Sequence, residues 1–479
     1  MTKKILLTLT ISFVTGTLYF SCQKNPNCDT CREINKTPVA DAGRDTIIVP
    51  PLDSVLLDGS SSNDPDGIVE EFLWSKISGP AFFNLVNASA AKAVVKSLIA
   101  GTYLFELKVK DNDGLYGKDT VRVIVGSQYS TCDLDSRPVI QARLVPLGKL
   151  SIGRVNIITA AANNKILFAG GSSYYKDSTG VPIRRVDVYD INSNSWSIKD
   201  LYEYPTWRLD MGIAAAGDKI FIAGGGFWGD DIYTNRVDIY NASDDSWSLA
   251  SLSEFRTATI GVSSGNKVFF AGGYSFNNGS DYWSNTVDIF DNATNTWSAG
   301  TLSEPRGYLS AVAAGNKIYF AGGQKNDGQF VLSDRIDEYD MLTNSWSTSN
   351  LQEPLDGIGA ISAGNKVFFA GGQSKSGESG TVEIMDVVTG ATSFDCIIPR
   401  AGLSAVLKDD NIVFFTGSGS DSRNGTHFEI YNLTTHTWYT GLLNKSIERA
   451  ALISVNNVIY VAGGLVNGIG SDQVWKLEF

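Results

Sequence analysis

The sequence predicts an all-β chain in which a small β-sandwich is followed by seven repeats of one four-stranded unit. Short runs of alternating apolar and polar residues, typical of half-buried strands, follow one another between turn clusters. In the second part of the chain, a glycine pair or its near equivalent returns at steps of 46 to 54 residues. Such a fixed period indicates a repeat architecture. The 48 glycines and 10 tryptophans among 479 residues fit repeated turns and repeated aromatic positions.

Residues 1–21 are predicted to be an export signal. Lys3 and Lys4 precede a largely apolar run of 16 residues, which is shorter than the roughly 20 that a membrane-spanning helix needs. The Ser21-Cys22 step resembles the cleavage site of bacterial lipoprotein signals in a relaxed form. The resemblance implies a lipid on Cys22 and attachment to the outer membrane, on its periplasmic or cell-surface side. An ordinary secretory signal cleaved nearby is the alternative.

A polar tether is predicted over residues 22–37, and four further cysteines follow Cys22. Cys28 and Cys31 lie in the tether, so a redox-active pair on a βαβ unit is disfavoured. Export makes disulfides possible, either as a local Cys28–Cys31 link or as a bridge to Cys132. Cys396 falls in a strand pattern and is expected to be a buried thiol.

The small sandwich is predicted over residues 38–127. Six or seven short strands fit into this stretch, separated by turn sequences such as Asn63-Asp64-Pro65-Asp66-Gly67 and Asp111-Asn112-Asp113-Gly114. The LDGSSSNDPDG string, Trp74 and the VKDNDG turn resemble the PKD family of immunoglobulin-like domains. That resemblance implies an immunoglobulin-like sandwich that acts as a spacer or a weak adhesion module, with Trp74 in its core.

The turns of this domain also gather carboxylates that suit a hard cation. The candidate calcium ligands are Asp64, Asp66, Asp111 and Asp113. Because Asp-Gly turns are common between strands, a purely structural role for these residues is the alternative.

The repeats share four residue types at fixed places. An apolar strand precedes each glycine pair, and an acidic strand and then a tryptophan follow it. Phe394 is expected to replace the tryptophan in the fifth unit, and Leu355 the arginine that opens the other units. The opening arginines are Arg154, Arg208, Arg256, Arg306, Arg400 and Arg449, each expected to bond to backbone or to a repeated acid such as Asp238, Asp288 or Asp337.

These features resemble the kelch repeat in both spacing and content. The resemblance covers residues 138–479 and implies a β-propeller. Small residues in the first strand of each unit fit innermost strands that crowd around an axis, and the tryptophans fit the wider outer gaps. The last unit stops after its third strand, so residues near 138–150 are expected to complete it and close a seven-bladed ring.

One face of such a propeller carries the variable loops, where binding residues are most often found. Exposed aromatic and acidic side chains of the first three units are candidate ligand contacts: Tyr174, Tyr175, Trp207, Phe227, Trp228, Asp230, Tyr282 and Trp283. Positions two residues after the opening arginines vary and are expected to line the axial pocket, among them Asn156, Asp210 and Tyr308. The alternative is that long loops fold back and bury these rings.

Composition argues against several function classes. A formal net charge of −12 disfavours binding to a nucleic-acid backbone. The two histidines, His427 and His436, cannot form a multi-histidine metal site, and copper chemistry like that of the kelch relative galactose oxidase is disfavoured because Cys396 is the only propeller cysteine. Phosphate-loop, zinc and Ser/His/Asp patterns are also missing from the sequence, so no cofactor is expected.

The sequence therefore favours a non-enzymatic binding module. We expect a monomeric, exported lipoprotein whose propeller binds a glycan or a protein, with membrane contact only through the lipid anchor. The alternative is a sugar-modifying enzyme of the kind found among kelch-like sialic-acid mutarotases. The identity of the ligand does not follow from the fold.

Overall fold

The computed structural model describes residues 35–48, 54–80, 83–98, 101–125, 133–175, 178–201, 208–227, 232–277, 280–326 and 330–479. Regular structure in these ranges consists of strands and one 3₁₀ turn, Leu134–Ser136. The described part of the chain contains no helix long and apolar enough to span a bilayer. The all-β prediction is confirmed.

Two facing sheets form the N-terminal sandwich. Its strands are β1 (Thr46–Ile48), β2 (Val55–Asp58), β3 (Val69–Ser78), β4 (Asn84–Val86), β5 (Lys92–Lys96), β6 (Gly101–Asp111) and β7 (Tyr116–Val125). One sheet has the order β1-β7-β6-β3 and the other β2-β5-β4. Every second residue of β6 is buried, because successive side chains of a strand point to opposite faces. Trp74 is 2 % exposed and lies in this core, as predicted.

The second part of the chain repeats one antiparallel four-stranded unit. Five separate sheets are β9 (Ile158–Ala162), β10 (Lys165–Ala169), β13 (Arg185–Asp190) and β14 (Ser195–Asp200); β15 (Gly212–Ala216), β16 (Lys219–Ala223), β19 (Arg236–Asn241) and β20 (Ser246–Ser251); β21 (Ile260–Ser264), β22 (Lys267–Ala271), β25 (Thr286–Asp291) and β26 (Thr296–Thr301); β27 (Ser310–Ala314), β28 (Lys317–Ala321), β31 (Arg335–Asp340) and β32 (Ser345–Asn350); and β33 (Gly359–Ala363), β34 (Lys366–Ala370), β37 (Thr381–Asp386) and β38 (Thr392–Cys396). We call these units one to five.

A continuous eight-stranded sheet completes the ring. It contains unit six, with β39 (Ser404–Lys408), β40 (Asn411–Phe415), β41 (His427–Asn432) and β42 (Thr437–Leu443), and unit seven, with β43 (Ala451–Val455), β44 (Val458–Ala462), β47 (Gln473–Glu478) and the upstream strand β8 (Val139–Lys149). Strand β8 pairs antiparallel with β47 and parallel with the end of β42. The sheets form a Kelch β-propeller, and the count of seven blades stays a prediction because two units share one sheet.

Six short hairpins extend the second and third strands on one face. They are β11 (Ser172–Tyr175) with β12 (Ser178–Pro182), β17 (Gly226–Phe227) with β18 (Ile232–Tyr233), β23 (Tyr274–Asn277) with β24 (Ser280–Trp283), β29 (Gln324–Asn326) with β30 (Phe330–Leu332), β35 (Gln373–Ser374) with β36 (Gly377–Glu378), and β45 (Leu465–Val466) with β46 (Ile469–Gly470). Each hairpin starts beside a glycine pair, and Gly224 (φ 64°) and Gly225 (φ 98°) show why: the chain turns there through left-handed conformations that glycine adopts at low cost.

Innermost strands approach one another closely around the axis. A Cβ atom on Gly261 of β21 would lie 2.5 Å from the carbonyl oxygen of Ile213 in β15. Small residues are therefore required at such contacts, in agreement with the composition of these strands.

Tryptophans of the outermost strands pack on the preceding unit. A Cβ atom on Gly300 of unit three would lie 2.9 Å from the indole of Trp346 in unit four, and Gly148 meets Trp196 in the same way. Each indole also lies against an aromatic ring of its own third strand, as in Tyr339–Trp346 with centroids 4.9 Å apart. These rings fill the gaps that widen away from the axis.

Unit five departs from this arrangement. Its register pairs Met385 with Thr392, and Glu383 with Phe394. The prediction that Phe394 replaces the tryptophan is wrong. The hairpin between β37 and β38 has the usual length, closed by the Asp386 N–H to Ala391 carbonyl bond of 2.8 Å, so Thr392 occupies the tryptophan position.

Buried ion pairs hold the opening segments to their units. Each of five arginines pairs with the acid of the third strand: Arg154 with Asp187, Arg208 with Asp238, Arg256 with Asp288, Arg306 with Asp337 and Arg400 with Glu429. The prediction that these arginines bond to repeated acids is confirmed. Each arginine also donates to backbone carbonyls, as Arg306 does to Gly322 at 2.8 Å.

Arg449 does not belong to this set, so that assignment is wrong. The bridge between Glu448 and Leu465 corresponds to the bridge between Val155 and Ser172 in unit one. Ile447 therefore occupies the arginine position of unit seven, and Arg449 lies two residues further on. Trp475 stands where the other units carry the acid, so both members of this pair are apolar.

Candidate functional site

The segments that enter the innermost strands form a ring at one mouth of the axial channel. Each segment bridges to the residue that follows a glycine station, and the next residue has a left-handed backbone with φ between 50° and 64°. The residues at this position are Asn156, Asp210, Ala258, Tyr308, Gly357, Gly402 and Arg449. We call them the axial ring.

Backbone hydrogen bonds link neighbouring members of the axial ring. The Ala258 N–H donates to the Asp210 carbonyl at 2.8 Å, and the Tyr308 N–H donates to the Ala258 carbonyl at 3.2 Å. On the other side, the Gly402 N–H donates to the Gly357 carbonyl at 2.8 Å. The ring thus brings together Asn156, Asp210 and Tyr308, the three positions expected from the sequence to surround the axis.

The left-handed backbone makes the side chains of the ring informative. Residues other than glycine pay about 1 kcal/mol for this conformation. Gly357 and Gly402 avoid that cost, whereas Asn156, Tyr308 and Arg449 keep large side chains in the same conformation. Strain of this kind is found most often where a side chain has a function.

A cavity of about 510 Å³ opens beside the ring. Its polar wall carries Asn156, Arg449, Ser404 and Ser418, and aliphatic side chains such as Leu452 form the rest. This combination of apolar walls with a few convergent polar groups is typical of ligand sites.

Arg449 supplies the positive charge of this cavity. Its side chain is exposed, and within the described residues its guanidinium makes neither an ion pair nor a hydrogen bond. Sequence reasoning placed Arg449 in the scaffold because its spacing was counted from the glycine stations. The Lys-Ser-Ile-Glu-Arg sequence held the missed signal, since the apolar residue two positions earlier fits the buried site.

The opposite side of the ring is an aromatic cluster. Tyr274 stacks on Trp283 with ring centroids 5.1 Å apart and contacts Tyr308 at 6.2 Å and Tyr233 at 5.8 Å. Trp283 is only 9 % exposed, and its ring covers Gly307, where a Cβ atom would lie 3.2 Å away. The expectation that Trp283 is an exposed ring is therefore wrong, because loops of three units converge on it.

Hydrogen bonds connect this cluster to the acid of the ring. The Tyr308 hydroxyl interacts with Asp210 and with the Tyr274 hydroxyl. Burial, followed by the charge of Asp210, raises the pKa of Tyr308, and burial followed by the neighbouring Tyr308 raises the pKa of Tyr274. Both phenols therefore stay protonated near neutral pH and can act as hydrogen-bond donors.

Tyr282 is the described aromatic candidate that does face solvent. It is 46 % exposed, and its hydroxyl donates to Glu254 at 3.4 Å. Tyr174, Tyr175 and Phe227 lie in strands β11 and β17, and only their backbone is described. Trp207, Trp228 and Asp230 lie outside the described residues, as do Cys22, Cys28, Cys31 and Cys132.

Cys396 is disulfide-bonded, so the expectation of a buried thiol is wrong. Its partner lies outside the described residues, because these contain no second cysteine. The linker before β8 meets the same place: the Arg137 guanidinium donates to the Cys396 carbonyl at 2.7 Å and lies 4.7 Å from the ring centre of Trp438.

The carboxylates of the sandwich turns serve the backbone. Asp111 is fully buried and accepts hydrogen bonds from the N–H groups of Asp113 at 2.9 Å and Leu115 at 2.8 Å, and from the Asn35 amide. Burial, followed by the charge of Asp66, raises the pKa of Asp64. No group of three or more acidic, histidine or cysteine side chains suited to a metal ion occurs in the described part of the chain. The contacts of Asp111 are those of a carboxylate that stabilises a turn.

Comparisons with protein families identify both domains. Residues 42–125 match the PKD-domain model of the KIAA0319-like proteins, and residues 256–464 match that of the KLHDC2/KLHL20/DRC7 Kelch-repeats domain. The chain therefore contains a PKD-like domain and a Kelch-repeat domain.

Curated relatives share limited parts of the chain. The mouse dyslexia-associated protein KIAA0319-like protein is 45 % identical over 98 residues, which are 20 % of this chain and 9 % of that protein. Human dyslexia-associated protein KIAA0319 is 44 % identical over 99 residues, with coverages of 21 % and 9 %. Kelch-like protein 25 of Xenopus tropicalis is 30 % identical over 131 residues, covering 27 % and 20 %. The chain thus spans about a tenth of the length of the first two.

Among solved structures, that of YjhT matches with 16 % sequence identity and a TM-score of 0.44. The match covers 58 % of this chain and 95 % of YjhT.

Proposed function

We propose that this protein is a non-enzymatic binding module and that its axial ring holds an anionic group of a glycan or protein ligand. The observation that carries the proposal is the guanidinium of Arg449, which lines the 510 Å³ cavity without a counter-charge among the described residues. A guanidinium presents a planar fork of donors that suits a carboxylate.

Polar groups around Arg449 suit the remainder of such a ligand. Asn156, Ser404 and Ser418 line the same cavity and can donate or accept hydrogen bonds. Asp210 and the protonated Tyr308 lie on the same ring and suit hydroxyl or amide groups. The rest of the ring is small, so a ligand reaches these groups without displacing bulky side chains.

The alternative is a sugar-modifying enzyme comparable to a sialic-acid mutarotase. The hydrogen-bonded pair of Asp210 and Tyr308 favours it, because opening and closing a sugar ring needs a proton acceptor and a proton donor. Proton NMR of free reducing sugars would show faster exchange between anomers in that case.

We also propose that the protein is exported, is anchored to the outer membrane through a lipid on Cys22, and works as a monomer. The charged start, the short apolar run and the cysteine after it support this localisation. The PKD-like domain would then act as a spacer between membrane and propeller. Mass spectrometry of the mature N-terminus tests the anchor directly.

A glycan array of neutral and acidic glycans, probed with the full chain, tests the binding proposal. We expect acidic glycans to be selected and Arg449→Ala to lose at least tenfold in affinity, because charge-assisted hydrogen bonds contribute about 1.5–3 kcal/mol. Arg143→Ala is the matched control, since Arg143 is exposed and pairs with Glu478 far from the ring. Equal binding by both variants would contradict the proposal, and a pull-down of extracellular proteins with the same variants tests a protein ligand.

A further inference from the structure

The buried ion pairs of the propeller have one exception that is chemically unbalanced. In unit seven both partners are replaced together, by Ile447 and Trp475. In unit five only the arginine is replaced, by Leu355, while the acid remains as Glu383. Unit five therefore keeps a buried carboxylate without the guanidinium that accompanies it in five other units.

Glu383 is well shielded from solvent and weakly compensated. Its side chain is 8 % exposed, and its hydrogen bond among the described residues comes from the Gln352 N–H at 2.9 Å. In unit six, by contrast, Glu429 receives two hydrogen bonds from Arg400, at 3.0 and 3.1 Å. A buried carboxylate with so little compensation is costly unless it is protonated or meets a cation.

An open cavity leads to this carboxylate. It has a volume of about 400 Å³ and lies in the cleft between units four and five. Thr392 and Met385 stand where other units carry the tryptophan and its aromatic partner, so the gap between these two units is left partly unfilled. Leu104 and Ile124 of the sandwich domain form the opposite wall, and a Cβ atom on Gly101 would lie 3.3 Å from the Thr392 carbonyl oxygen.

The other charged groups of the cavity already have partners. Lys317 pairs with Glu338 at 3.2 Å, Arg122 pairs with Asp45 at 3.5 Å, and Asp386 accepts from the N–H groups of Val388 and Thr389 at 3.0 and 2.9 Å. Tyr319 also lines the cavity, and burial raises its pKa to about 12, so it is neutral. The net electrostatic demand of the cleft is therefore one cation at Glu383.

We propose that the cleft between units four and five binds a small guanidinium-bearing ligand, whose cation pairs with Glu383 in place of the missing arginine. The five intact pairs show that this fold accommodates a guanidinium against an acid at the same position. The cavity is large enough for a molecule the size of agmatine, and the sandwich wall limits access for larger chains. The site is separate from the axial ring, and the inference does not depend on the function proposed there.

Binding depends on pH in a defined direction. Burial raises the pKa of Glu383 to about 7, so its carboxyl group is mostly ionised at pH 8 and mostly protonated at pH 6. A cationic ligand binds the ionised form, and its affinity falls about tenfold between these two values. The charged groups that face Glu383 across the cleft are Lys317, Glu338, Asp386 and Arg122, each held by the partner given above.

Isothermal titration calorimetry of the full chain with agmatine and methylguanidinium at pH 8 tests the proposal. We expect saturable binding with one site, lost by at least tenfold in Glu383→Gln and in Leu355→Arg, which supplies an internal guanidinium. Glu338→Gln removes another carboxylate of the same cavity and keeps the binding. Circular dichroism establishes that each variant is folded.

Two results would overturn the inference. One is that neither probe binds the folded wild-type chain at millimolar concentration. The other is that Glu383→Gln, which changes no volume, binds as tightly as the wild type at pH 8. Should Leu355→Arg fail to fold, the comparison of Glu383→Gln with Glu338→Gln still decides the question.

Discussion

Replacing Glu383 by glutamine is expected to stabilise the ligand-free protein at pH 8 and to leave it unchanged at low pH. Burial raises the pKa of this carboxyl group from its ordinary 4.5 to about 7 in the folded chain. Below 4.5 the group is protonated in both states and costs nothing. As pH rises through this window the unfolded chain loses the proton first, so the folded state loses stability, by about 3 kcal/mol once pH exceeds 7.

Glutamine keeps the shape of the side chain and cannot ionise, so it removes this loss. Urea unfolding of wild type and Glu383→Gln, followed by tryptophan fluorescence, gives the free energy of unfolding at pH 5 and pH 8. We expect the variant to gain about 3 kcal/mol over the wild type between these two values. Trp74 lies in the sandwich, so a Trp74→Phe background isolates the propeller signal.

Glu429→Gln is the matched control, because Glu429 occupies the same position in unit six and pairs with Arg400. Removing that charge leaves a buried guanidinium uncompensated and is expected to destabilise the chain by about 3 kcal/mol at pH 8. The two substitutions are chemically identical and opposite in sign. Parallel pH dependence of wild type and Glu383→Gln would refute the reasoning.

Three further outcomes follow from the same contacts. Trp346→Ala should cost about 3–5 kcal/mol, because the indole fills the gap against Gly300, and denaturant unfolding measures the loss. Arg306→Leu should cost about 3–5 kcal/mol by leaving Asp337 buried and unpaired, and the cost should shrink at acid pH as that carboxyl group takes a proton; no change from pH 7 to pH 4 would argue against it. Peptide mapping without reductant should recover Cys396 in a disulfide-linked peptide, and a free Cys396 thiol would contradict the bond.

Much of the propeller scaffold follows from residues that repeat in phase. Arg306 and Asp337 recur because one buried pair closes each unit, so their periodicity carries their structural role. The glycine stations recur because the backbone must turn through left-handed conformations there. Such positions are predictable since the same local physics is written several times in the sequence.

The misplaced residues lie where the repeat is broken. Arg449 was aligned with the scaffold arginines, although the strand register puts Ile447 there, and register is a property of pairing that spacing alone does not fix. Phe394 was aligned with the tryptophans for the same reason. Trp283 is buried by Tyr274 and Gly307, which come from hairpins and loops of different units, and such long-range packing leaves no local signature.

The strand that completes the ring also sets the order in which the molecule can be assembled. Strand β8 finds its antiparallel partner only when Gln473–Glu478 has been made, about 320 residues later in synthesis. At roughly 5–20 residues per second this interval is on the order of 20–60 s. During it, the apolar residues that β8 and unit six later share stay exposed to other chains. Ring closure is therefore the last step of folding and the step at which a chaperone has the most to protect.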